Sequence, residues 1–143
     1  MRNARRCLIG IAFFLLVSCH VARKNAEIEA SMQRYNHFIK EIAADSVANM
    51  FTKDGNLGDV AHGRDSIRLF LTSFKGIKVL SVKSTTASIA WQKDTAIQTG
   101  MYFQKGVIQQ KDTFNVKGKF IATWERQAKG VWFLKKMQTK PTK

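Results

Sequence analysis

The sequence of 143 residues is short of cysteine, proline, histidine and acid. Two cysteines supply neither a disulfide-dense scaffold nor a four-ligand zinc site. A single proline, Pro141, and nine scattered glycines exclude collagen-like or proline-rich low complexity. There is no His-x-x-x-His pair, no Cys-x-x-Cys and no glycine-rich phosphate loop, so neither a metal nor a cofactor is expected. No internal repeat with a period of roughly 20–50 residues is present. No apolar run approaches the ~20 residues of a membrane-spanning helix. Ten acidic residues stand against 24 lysines and arginines, and the resulting formal charge of +14 concerns partners rather than fold. What is present is an apolar content of 45%, enough to bury a core, in a chain long enough for one domain plus a processed leader.

Residues 1–18 read as that leader. Arg2, Arg5 and Arg6 form a basic start, and Cys7 to Val17 is an apolar stretch of 11 residues broken only by Gly10. It ends in Leu16-Val17-Ser18-Cys19, which resembles the lipobox of bacterial lipoproteins. The resemblance implies cleavage before Cys19 and acylation of its thiol, with residues 19–25 as a tether and 26–139 as the folded domain. Three arginines and Cys7 would leave with the leader, lowering the charge from +14 to +11 and leaving no free thiol. The expected place is the bacterial cell envelope, on the periplasmic or outer-membrane side.

The rest of the chain changes period once. Ile28, Met32, Tyr35, Ile39 and Ile42 recur at spacings of 4, 3, 4 and 3, which predicts a helix over 24–44. Asp45 is placed to cap a short second helix over 46–51. Lys53-Asp54-Gly55-Asn56 reads as a turn and Leu57 to Val60 as a brief extended segment. A third helix over 62–75 carries Ile67, Phe70, Leu71 and Phe74 on one face. From Ile77 onward the pattern is that of strands: 77–91, 95–105, 113–126 and 131–138, with a longer hairpin loop over 106–112. In 113–126, Phe114, Val116, Gly118, Phe120, Ala122 and Trp124 share one face. In the last strand Val131 and Phe133 oppose Trp132 and Leu134, which predicts cover on both sides.

Gly63-Arg64-Asp65-Ser66-Ile67-Arg68-Leu69-Phe70 resembles the opening of the third helix in SnoaL-like domains of the nuclear transport factor 2 superfamily. Gly118-Lys119-Phe120-Ile121-Ala122-Thr123-Trp124-Glu125-Arg126, followed by Gly130-Val131-Trp132-Phe133-Leu134, resembles their last hairpin. The likeness extends over 27–138. It implies an α+β cone: a strongly curved antiparallel sheet around a pocket, packed against about three N-terminal helices. Members include ketosteroid isomerases, dehydratases and polyketide cyclases, so the fold implies a pocket and leaves the reaction open.

Enzymes of that superfamily place a carboxylate or histidine in the pocket, often with a tyrosine. Here His20 falls in the tether and His37 half a turn away from the apolar stripe. Asp94 and Asp112 fall in hairpin turns, Glu125 shares a polar face with Lys117 and Lys119, and Asp45, Asp54 and Asp65 read as caps or turn residues. Three weak catalytic candidates remain. Asp59 is either a solvated loop carboxylate or a general base. His62 is either a loop residue bonded to backbone or a contact at the pocket rim. Tyr35 is either a core aromatic or a pocket hydroxyl. For binding, the candidates are Tyr35, Trp91, Tyr102 and Trp124, among strand aromatics that otherwise fill the cone.

Three functions stay open: a lipid-anchored module that binds a small apolar or amphipathic ligand or a partner protein, an isomerase, dehydratase or hydrolase, and a scaffold with a filled cone. The partners expected are the membrane through Cys19, a small-molecule ligand, an anionic lipid or glycan surface drawn by the basic charge, and a second copy in a homodimer. Nucleic acid is not expected for an exported chain.

Overall fold

The computed structural model describes the backbone of residues 4–142 and side chains from residue 21 onward. The leader's side chains and the Cys19 thiol, on which the anchor expectation rests, lie outside the described residues. Helix α1 (Ala4–Lys40) is longer than the apolar stripe requires, and residues 21–25 of the expected tether are helical. Among the described side chains, Lys24 and Asn25 meet the sheet at Trp91. Ile28, Met32 and Tyr35 are buried, and Phe38 and Ile39 pack beside them. The stripe overruns the helix: Ile42 adopts φ 48° in the turn that closes it.

Helix α2 (Ala44–Met50) buries Val47, Ala48 and Met50. Asp45 does not cap it; Ala43 occupies that position. Asp45 instead accepts a bond of 2.5 Å from Arg68 Nε, while Arg68 Nη1 donates to Asp65 over 2.6 Å. One guanidinium thus ties α2 to α3 (Arg64–Thr72), the helix that buries Ile67 and Leu71.

The expected turn at Lys53–Asn56 is strand β1 (Phe51–Leu57). Long-range pairing overrides the turn residues: β1 runs parallel to the last strand, with Phe51 opposite Leu134 and Asn56 opposite Lys136. A bulge between Phe51 and Asn56 accommodates Gly55, where a Cβ would lie 2.9 Å from the Leu134 carbonyl oxygen. Of the segment expected to extend over 57–60, Leu57 ends β1 and 58–60 form a turn, with Gly58 at φ 55°, leading into β2 (Ala61–His62).

The long strands follow expectation within a few residues: β3 (Ile77–Gln92), β4 (Thr95–Ile108), β5 (Asp112–Arg126) and β6 (Trp132–Pro141). The β4–β5 loop is shorter than expected, because the ladder continues to Ile108 opposite Asp112. The sheet order is β2-β1-β6-β5-β4-β3, antiparallel except for β1 beside β6. In β5 the face of Phe120, Ala122 and Trp124 is buried, as the alternation requires. On one face of β6 Trp132 and Leu134 are buried; on the other Phe133 is half-buried, and Val131, just before the strand, is 46% exposed. Phe133 lies beneath the Arg64 guanidinium, 5.6 Å from its ring centre.

Two features bend this sheet into a cone. Bulges interrupt β3 between Val79 and Ser81 and between Thr86 and Ser88. On the concave face, Gly100 stands opposite Phe120 in register, and a Cβ there would lie 2.7 Å from the Phe120 ring. The missing side chain lets the aromatic ring fold over the neighbouring strand. Helix α1 crosses the concave side along β3, so the fold is an α+β cone of three helices and six strands.

Candidate functional site

The cone has a filled end and an open end. At the filled end three indoles are held by side-chain acceptors. Trp124 Nε1 donates to Gln98 Oε1 over 2.9 Å, and Gln98 Nε2 donates to Thr86 Oγ1 over 2.8 Å. Trp132 Nε1 donates to Glu27 over 3.1 Å, and Trp91 Nε1 to Asn25 over 2.9 Å. The Trp91 and Trp132 rings meet edge to face at 5.5 Å. Gln98 and Trp124 are fully buried, and each finds its partner in the other.

At the open end, α1, the turn after β1, α3 and the concave faces of β3–β6 enclose a cavity of about 620 Å³. Met32, Ile39, Phe74, Val82, Val116 and Phe120 are part of its apolar wall. The polar groups on that wall are mainly uncharged: Tyr35, Tyr102, Gln104 and the pair Ser84–Asn36, in which the serine hydroxyl donates over 3.1 Å. Burial holds the Tyr35 hydroxyl well above the ordinary phenol range, with no hydrogen bond to offset it. Burial also raises Tyr102, against a smaller opposing effect from a hydrogen bond with Thr139. Both phenols are therefore neutral donors at physiological pH.

Of the sequence-derived candidates, Tyr35, Tyr102 and Asp59 line this cavity. Asp59 is the single carboxylate among the lining residues, and it is exposed in the rim turn. His62 does not line the cavity; it is exposed, and its Nδ1 lies 2.7 Å from Asn56 Oδ1. Trp91 and Trp124 belong to the filled end. The cavity thus brings Tyr35 and Asp59 to one wall and leaves His62 outside it. Sequence reasoning passed over Asn36, Ser84 and Gln104. Gln104 was accessible from period 2, since it follows Tyr102 on the same strand face. Ser84 required the register, which sets it opposite Tyr102.

Among the described residues no three His, Cys, Asp or Glu side chains gather to hold a metal ion. A proton-transfer site needs a group that changes protonation near working pH. The buried part of the wall offers phenols, a hydroxyl and amides, groups suited to hydrogen bonding rather than to proton transfer near neutral pH.

The family model described as a SnoaL-like domain matches residues 21–138. No curated protein matches the sequence. Among solved structures, the chain is similar to a ketosteroid isomerase-like protein from Erwinia carotovora atroseptica, at TM-score 0.72 and 18% identity over 82% of this chain and 95% of that one. It is similar to a conserved protein from Planctomyces limnophilus, at TM-score 0.74 and 12% identity over 85% and 99% of the two chains. It is also similar to ActVI-ORFA from Streptomyces coelicolor, at TM-score 0.69 and 18% identity over 82% and 96%. At these identities the likeness concerns the fold.

Proposed function

Since the chain belongs to the SnoaL-like domain family, as the match over residues 21–138 establishes, we propose that it is a lipid-anchored binding module. It holds a small, uncharged amphipathic ligand in the open end of the cone. The observation that carries this reading is the cavity of about 620 Å³, whose apolar wall bears neutral donors and acceptors. That volume suits a ligand of several fused or linked rings, since small-molecule pockets run to about 300–1,000 Å³. Tyr35 and Tyr102 would donate to a carbonyl or ether oxygen, and Gln104 would serve as donor or acceptor. The name of the Erwinia neighbour, a ketosteroid isomerase-like protein, agrees with an apolar ligand that carries oxygen. Acid–base catalysis is the second reading. It ranks lower because Asp59 stands exposed at the rim and His62 lies off the wall.

The anchor in this reading is the acylated Cys19, supported by Leu16-Val17-Ser18-Cys19 behind a basic and then apolar leader. Each buried acyl CH₂ adds about 0.8 kcal/mol, so two or more chains hold the protein stably. Cys19→Ala is expected to abolish retention in the membrane fraction; retention equal to wild type refutes the anchor. Native mass spectrometry of the protein taken from its own membrane is expected to show a bound small molecule of neutral character. Turnover of that molecule by wild type, lost in Asp59→Asn, would move the assignment to an enzyme.

A further inference from the structure

The face of the sheet that turns away from α1 carries lysines in register. Lys83, Phe103 and Lys117 form one cross-strand row, and Thr85, Met101, Lys119 and Lys140 the next. Lys105 flanks the first row between Ser81 and Asn115. All five lysines are exposed, and none takes part in an ion pair among the described residues. Between them stand apolar side chains left in solvent: Phe103 is 38% exposed, Met101 43% and Ile121 46%. Glu125 is the carboxylate that β5 carries on this face. It sits at the opposite end, opposite Thr95, and accepts a bond from Gln127 over 2.7 Å.

We propose that this outward face of β3–β6 lies on an anionic phospholipid bilayer, with α1 and the cavity turned toward water. The inference rests on the anchoring at Cys19 proposed above. Lysine heads seek phosphate groups while their stems and the interleaved Phe103 and Met101 settle at the headgroup boundary. A second copy of the chain on the same face would set lysine rows against lysine rows, which like-charge repulsion opposes. An anionic bilayer supplies the complementary charge. The two attachments stand at opposite ends of the sheet: α1 meets it at Trp91, beside the β3–β4 hairpin, and residues 19–23, helical in α1, rise about 7 Å beyond that contact. The ligand therefore enters from the aqueous side rather than from the lipid.

The test uses the full lipoprotein in vesicles of phosphatidylcholine alone or mixed with phosphatidylglycerol. A membrane-impermeant amine reagent labels the vesicle-bound protein, and mass spectrometry reads each lysine. Lys83, Lys105, Lys117 and Lys119 are expected to react about fivefold more slowly on the anionic vesicles, with the difference abolished at about 1 M salt. Lys40 and Lys129, at other surfaces, are expected to react equally on both. A Lys117→Glu, Lys119→Glu variant with wild-type thermal unfolding is expected to lose the protection of Lys83 and Lys105. Equal labelling of the face on both vesicles overturns the proposal. Protection on neutral vesicles that grows with protein density overturns it in favour of a second copy. Protein that binds only anionic vesicles, with the face protected, upholds the face and refutes the acyl anchor; protein that binds neither refutes both.

Discussion

The two ends of the cone are built from the same four strands and solve opposite problems. At the filled end, Trp124, Trp132 and Trp91 occupy the space between sheet and helix, and each indole N–H has an acceptor. At the open end the same strand faces carry Val82, Ser84, Gln104 and Val116, too small to close the gap to α1 and α3. A large buried aromatic stabilises by the area it removes from water, whereas an unfilled apolar wall forgoes that gain. The difference assigns stability to one end and leaves at the other the space that the proposed ligand would fill.

The sharpest way to break this division is Trp124→Ala. Removing the largest fully buried side chain is expected to cost about 3–5 kcal/mol, much of the ~5–15 kcal/mol that holds a domain of this size. Chemical denaturation measures it. A loss below about 1 kcal/mol would mean that the filled end does not carry the stability.

Gln98→Leu probes the same end more gently. It leaves the Trp124 N–H without its acceptor and removes the partner of Thr86, with an expected cost of about 1–3 kcal/mol in unfolding experiments. A neutral outcome would show that the buried amide is dispensable.

Alkaline pH separates the ends by linkage. Burial raises the Tyr35 phenol above its ordinary value of 10.0. Between that value and the folded one, the unfolded chain gives up a proton that the folded chain keeps. The stability linked to Tyr35 is thus complete below pH 10.0 and falls as pH rises beyond it. Wild type is expected to lose stability more steeply than Tyr35→Phe above that pH, by up to about 1.4 kcal/mol per pH unit. Parallel curves would place the Tyr35 hydroxyl in water.

Val116→Phe adds a ring to the unfilled wall. Stability is expected to change by less than about 1 kcal/mol, since the ring enters open space rather than a packed core. The ligand seen by native mass spectrometry is expected to disappear. A strong loss of stability with ligand retained would reverse the roles of the two ends.

The parts of the fold legible in the sequence are those set by a local period. The stripe from Ile28 to Tyr35 placed α1 on the sheet, and the alternation through Phe120, Ala122 and Trp124 named the buried face of β5. Where local chemistry and long-range pairing disagreed, pairing prevailed. Lys53-Asp54-Gly55-Asn56 carries turn residues, yet β6 offers unpaired backbone groups beside it, and a strand satisfies them. Tyr35 was legible on the apolar stripe of α1 and Tyr102 as a strand aromatic. Their separation from Trp91 and Trp124 into different ends was not, because a strand face does not reveal which of its residues another element will cover.

By itself the sequence determined the order of the long helices and strands, the buried faces of α1, α3 and β5, and the excess of lysine. These follow from period and composition, which each residue carries wherever the chain goes. The tertiary structure alone decided that the cone stays open at one end, that Asp59 and His62 lie at its edge or off it, and that the lysines of separate strands stand in rows. Those outcomes depend on register and curvature, set by bulges, by Gly100 beneath the Phe120 ring and by the packing of α1 along β3. Register joins residues far apart in the chain, and no local spacing encodes it.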